Sequence, residues 1–216
     1  MARNEREIDS MKTEHSNARP PRWAEALLRL LLKPKDRESV SGDLLEQYRD
    51  TIVPALGPAA DRWYIRQVGS FLLHASWVWG TFVGAALVIR YMFDTLAPPR
   101  NYAMRATILT YTILAAFLLA GFSAAWRTRS IRAGVVTAFT AAVISALFSM
   151  AGETVMLAIW HDPAHMDARR NSGGVDEAFI GVPMKMIEIG LVVGLVGALF
   201  GKGVAIILPR HEEKSA

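Results

Sequence analysis

Residues Ala133 to Trp160 read AGVVTAFTAAVISALFSMAGETVMLAIW, and Glu153 is the one charged side chain among them. A hydrocarbon core about 30 Å thick needs roughly 20 helical residues, and this run exceeds that. It is apolar all round, whereas a surface helix of a soluble protein keeps a polar face. Three more runs have the same character: Phe71 to Phe93, Thr107 to Trp126 and Ile187 to Leu208. A soluble fold would have to bury four such helices, and too little amphipathic chain remains to cover them. The expected class is therefore an all-α membrane protein with four transmembrane helices and an N-terminal cytoplasmic helical hairpin.

Composition shows how the polar residues are distributed. The chain has 216 residues, 52% hydrophobic and 20% charged, with no cysteine and a mean hydropathy of +0.23. The first 70 residues hold 12 of the 24 Lys and Arg and 11 of the 20 Asp and Glu, so half the charge lies in one third of the sequence. Without cysteine, disulfide frameworks, thiol nucleophiles and cysteine-ligated metal centres are excluded. The net charge of +4 does not read as a nucleic-acid footprint, because the cations flank apolar runs instead of forming a basic patch. The expected divisions are a disordered polar tail over 1–19, the hairpin over 20–58, the four-helix membrane domain over 59–210 and a cytoplasmic tail over 211–216. Residues 1–19 contain no apolar core of a signal peptide.

Orientation follows from the cations in short connections. Arg127, Arg129 and Arg132 crowd the link between the second and third spans. Arg62 and Arg66 precede the first span, and Lys202, Arg210 and Lys214 lie at the C-terminal end of the fourth. Against these, Arg100 and Arg105 lie between the first two spans, and the 161–185 connection has three cations among four carboxylates. Both termini are expected to be cytoplasmic, in a bacterial inner membrane. Trp63, Tyr64, Tyr91, Tyr102, Trp126 and Trp160 fall near the expected boundaries, where amphipathic rings favour the headgroup region. Trp77 and Trp79 lie within the first span and read as packing residues.

In the N-terminal segment, PPRWAEALLRLLLK repeats Trp23, Leu27, Leu30 and Leu31 at helical spacing, and Pro34 stops it. Asp36 is a candidate cap for a second helix, whose stripe is Val40, Leu44, Leu45 and Tyr48. TIVPALGPAA, over 51–60, reads as a turn or stiff linker. Pro20-Pro21-Arg22, Leu27-Leu28-Arg29, Pro34, Arg37-Glu38 and Gly42-Asp43-Leu44 with Glu46 and Tyr48 resemble the permease prefix domain. That domain is a helical module ahead of the membrane core in macrolide-exporter-like bacterial ABC permeases. Such permeases continue into a large extracytoplasmic domain and further spans. The likeness covers residues 20–50 without that permease core, so it implies a stand-alone or shortened prefix protein and, as partners, ABC permease or ATPase subunits. A nucleotide-binding GxxxxGK[ST] motif does not occur in the sequence.

Ionisable groups at membrane depth are costly and face a protein interior, a water path or the interface. Arg90, Glu153 and Glu188 are expected near one end of the bundle as an intramembrane polar cluster, with Arg90 paired to Glu153 or Glu188. Glu153 is the deepest carboxylate, roughly 10 Å inward from Trp160 at 1.5 Å per residue. The group reads first as structural, second as a substrate or ion site and last as catalytic. His74 is expected near the cytoplasmic start of the first span, and Lys202 reaches the interface by snorkelling and needs no function. Gly190, Gly194, Gly197 and Gly201 share one face of the fourth span, with Gly80 and Gly84 on the first, and are expected to be helix-packing positions. His161, Asp162, His165 and Asp167 are metal-ligand types, but Pro163 and the lack of further ligands argue against a closed metal site.

The leading functional expectation is an accessory or regulatory partner of an ABC-type exporter, acting through protein contacts. The alternatives are a small oligomeric transporter or channel using Glu153 and Glu188, and a membrane enzyme at the outer face, the weakest of the three. No catalytic residue, metal or cofactor is expected, the partners are the lipid bilayer and exporter subunits, and the oligomeric state is left open.

Overall fold

A computed structural model describes residues 18–97, 101–171 and 173–208. The tail over 1–17, the end of the chain from 209, and the orientation-counting residues Arg100, Arg210 and Lys214 lie outside the described residues. The described chain is helical, and strands are absent from it. In order, it forms α1 (Arg22–Leu31), α2 (Arg37–Gln47), α3 (Ala60–Leu96), α4 (Tyr102–Thr128), α5 (Ile131–Ile159), α6 (Pro163–Asn171) and α7 (Val182–Ile207), with shorter helical turns between them. Among the described residues four helices are long and apolar enough to cross a membrane, and they cover the four expected runs except for the last residue of two, Trp160 and Leu208. The helices start earlier than hydropathy suggests, because polar first turns at 60–70 and 102–106 continue the same backbone.

Two compact units divide the chain, Met1–Leu73 and His74–Ala216. In the first, α1, α2 and the start of α3 enclose Ala24, Leu28, Tyr48, Ala60, Tyr64 and Val68. The hairpin thus finds its core partner in the N-terminal part of α3, and the unit extends past the expected limit at 58. The buried face of α1 is only partly the expected one, with Leu27 packed against this core. Ala24 and Leu28 are fully buried, while Trp23 is 59% exposed. Both frames are apolar at helical spacing, so sequence periodicity alone does not choose between them. Asp36 makes no side-chain cap to α2, since it is taken into the 3-10 turn Pro34–Asp36.

The stretch expected as a linker is helical as well. A π-turn over Tyr48–Ile52 runs into Val53–Leu56 and then a turn at Gly57–Ala59. Pro54 has no N–H for Asp50, and the widened turn accommodates the missing bond. Gly57, at φ +52°, breaks the direction before α3. The Tyr48 and Tyr64 rings meet edge to face at 5.6 Å, and the Tyr48 hydroxyl donates to Asp61 at 2.6 Å. Burial, reinforced by that carboxylate, pushes the Tyr48 hydroxyl up to about 12 and keeps it neutral.

In the second unit α5 is the most buried spanning helix. Its Ala138 and Ala142 receive Gly194 and Gly190 of α7, where a Cβ would collide. Gly197 and Gly201 lie against the Leu118 and Phe122 carbonyl oxygens of α4, and Gly121 against that of Gly194. The rest of α3 approaches α5 at Gly80 and Gly84, beside Ile144 and Phe148. Ser145 donates to the Gly80 carbonyl oxygen at 3.0 Å. Arg129, at φ 56°, ends α4, and the Ser130 hydroxyl accepts from the Ala133 N–H to start α5, so these helices are joined by two residues. Large apolar side chains face outward from the bundle, among them Val78, Phe82, Ile108, Leu147, Val192 and Phe200. Trp77 is with them at 56% exposure and is not a packing residue, whereas Trp79 packs against the core.

Candidate functional site

Polar residues line one face of α5 at intervals of four or eight. Thr137, Ser145, Ser149 and Glu153 are all buried. The serines bond to backbone carbonyl oxygens, which satisfies them without opening the helix. Glu153 lies at the end of this line, toward Trp160, and is 2% exposed.

Its partner is Arg169, from the segment between the third and fourth spans. The Arg169 guanidinium meets Glu153 Oε1 at 2.9 Å, and both side chains are almost wholly buried. Within this 161–185 connection Pro163 opens α6, which carries Arg169 to Glu153. Pro is well suited to a first helical turn, where its absent N–H has no partner to lose. After Gly173 and Gly174, both at positive φ, a second π-turn, Glu177–Gly181, leads into α7 two residues before Pro183.

Arg90 and Glu188, the other two expected cluster members, are placed differently. Arg90 pairs through Nε with Asp94 at 3.1 Å, one turn along α3. Asp94 is 1% exposed and also accepts from Arg105 of α4 at 2.7 Å. Glu188 is exposed on α7. The expected pairing of Arg90 with Glu153 or Glu188 is therefore replaced by two separate arrangements, Glu153–Arg169 and Arg90–Asp94–Arg105. Asp94 was not among the expected members, although its spacing of four from Arg90 is a usable signal in the sequence. Nothing in the sequence distinguished Arg169 from Arg170, which pairs at the surface with Asp167.

Arg90 and Glu153 nevertheless line one cavity of about 190 Å³, together with Tyr91, Arg169, Glu177 and residues near the start of α7. Glu153 Oε2 and the Tyr91 hydroxyl are buried with no hydrogen-bond partner among the described residues. Glu177 also pairs with Lys185 at 2.6 Å, near the surface. The cavity therefore offers an open carboxylate acceptor at Glu153, the unpaired Tyr91 hydroxyl and the Arg90 guanidinium.

The histidine-rich stretch gives a different arrangement. His165 Nδ1 meets Asp162, whose carboxyl that hydrogen bond holds below its ordinary range. Among the described residues no group of three His, Cys, Asp or Glu side chains converges as a metal site would require. No protein-family model, curated protein or solved structure compared with this chain matches it.

Proposed function

We propose that the chain is a multi-pass protein of a bacterial inner membrane, with both termini cytoplasmic. Its N-terminal unit serves as a docking module, making the protein an accessory or regulatory partner of an ABC-type exporter. The observation that supports docking is the separate core of the first unit. Leu28, Tyr48 and Tyr64 are buried within it, while Trp23 remains 59% exposed. A large aromatic side chain on a self-supporting helical unit is the kind of residue that anchors protein interfaces. The exporter as partner rests on the likeness of residues 20–50 to the permease prefix domain.

The transport alternative needed Glu153 and Glu188 on one path. Glu188 on the exposed face of α7 and Glu153 held by Arg169 lend it less support.

The test is purification of the tagged chain at native expression in mild detergent, followed by mass spectrometry. ATP-binding cassette permease or ATPase subunits should co-purify, and Trp23→Ala should lower their recovery about tenfold, as loss of an aromatic anchor does. Repeated recovery of this chain alone would overturn the proposal.

A further inference from the structure

We propose that the cavity beside Glu153 binds a zwitterion, taking its primary ammonium group at Glu153 and Tyr91 and its anionic group at Arg90. The ammonium end follows from the unmet acceptors. Glu153 Oε2 and the Tyr91 hydroxyl are buried without partners, and leaving such atoms unbonded is costly. An ammonium has three N–H donors and can serve both atoms, whereas a quaternary amine has none.

The anionic end follows from charge balance. Glu153 is matched by Arg169 and Glu177 by Lys185. Asp94, however, stands alone against Arg90 and Arg105, so this group carries one surplus positive charge. Arg90 gives its Nε to Asp94 and keeps the donors of its two terminal nitrogens, which suit a carboxylate or phosphate. A simple cation would be repelled by the surplus charge, and a simple anion would leave Glu153 Oε2 unmet. Water could satisfy the acceptors but not the charge. The volume of about 190 Å³ far exceeds the roughly 10–15 Å³ required for one water.

A phosphoethanolamine lipid headgroup and a free amino acid share this chemistry. The headgroup fits the location. The cavity lies near the last turns of α3 and α5, where the outward apolar residues Ile89, Phe93, Val155 and Ile159 give way to charged ones, the level of lipid headgroups beside a spanning bundle. This inference uses the membrane-spanning character of the helices and is independent of any exporter.

The test incubates the delipidated full chain with equimolar phosphatidylethanolamine and phosphatidylcholine of the same acyl chains and measures retained lipid by native mass spectrometry. Phosphatidylethanolamine should be retained about tenfold over phosphatidylcholine, the size of a charge-assisted hydrogen bond. Arg90→Gln, which loses the phosphate contact common to both lipids, should lower the retention of both, and Tyr91→Phe should remove most of that preference. Tyr111→Phe, at a 69% exposed position of α4, should leave it intact. Tyr91→Phe deletes an atom that bonds to nothing, and Arg90→Gln leaves Asp94 with Arg105, so both variants should keep the wild-type unfolding midpoint. Equal retention of the two lipids together with a thermal shift by free phosphoethanolamine or glycine, lost in Tyr91→Phe, would retain the site and identify a soluble zwitterion as its ligand. Equal retention of the two lipids with no shift from either soluble probe would overturn the proposal. So would a preference that Tyr91→Phe does not change.

Discussion

Glu153 and Arg169 show why a charge can be tolerated deep in an apolar helix while contributing little net stability. Each ion leaves water at a cost of several kcal/mol, and the pair regains about that much. Removing one partner is another matter, because the remaining charge stays buried. Glu153→Gln should therefore cost about 3–5 kcal/mol, visible as a clear drop in the thermal unfolding midpoint of the detergent-solubilised protein. Replacing both partners, as Glu153→Leu with Arg169→Met, should restore the midpoint to near or above wild type. A single variant as stable as wild type would show that the pair is not buried in solution. Glu153 was legible from the sequence as the lone charge in its run. Its partner was not, because depth along a helix restricts candidates while rotation about the axis selects among them. That rotation faces Glu188 outward and leaves Arg90 to Asp94.

The helices themselves were legible, since apolar length decides them, but their ends and phases were less so. α1 buries Ala24 and Leu28, and of the expected frame Leu27 is partly buried while Trp23 is exposed. Both π-turns end two residues before a proline, Pro54 and Pro183; the helical path widens and continues at both, although a turn or stiff linker was expected around Pro54. The helix-packing glycines were read from spacing, and their contacts give them different roles: Gly190 and Gly194 meet α5, while Gly197 and Gly201 meet backbone of α4. Gly197→Ala would press a methyl group against the Leu118 carbonyl oxygen, which cannot move without its helix. A loss of about 1–3 kcal/mol is expected, measured as a lower unfolding midpoint. Gly203→Ala, on the same helix with open space around it, should be neutral or slightly stabilising. Equal effects at the two positions would contradict the close approach.

At the scale of the molecule, the proposed topology has four crossings, an even number, and so puts both ends of the bundle sequence on the same side of the membrane. In the proposed orientation that side is the cytoplasmic one, since Arg127, Arg129 and Arg132 surround the two-residue joint between α4 and α5. Reporter fusions after Thr128 should therefore give a cytoplasmic signal and fusions after Gly173 the opposite one. A cytoplasmic signal at Gly173 would reverse the orientation and put the Glu153 cavity on the other face. The glycine and alanine seam among α4, α5 and α7 has a further thermodynamic consequence. Lipid tails are as apolar as leucine, so helices in a bilayer gain little from hydrophobic exclusion and must associate through close contact. Gly121, Gly134, Ala138, Gly194, Gly197 and Ala198 meet there, and none has a side-chain rotamer to lose on docking. The three helices thus come together without the rotational entropy loss that long side chains would impose, and the weak attractions of close-packed backbones are left largely unopposed.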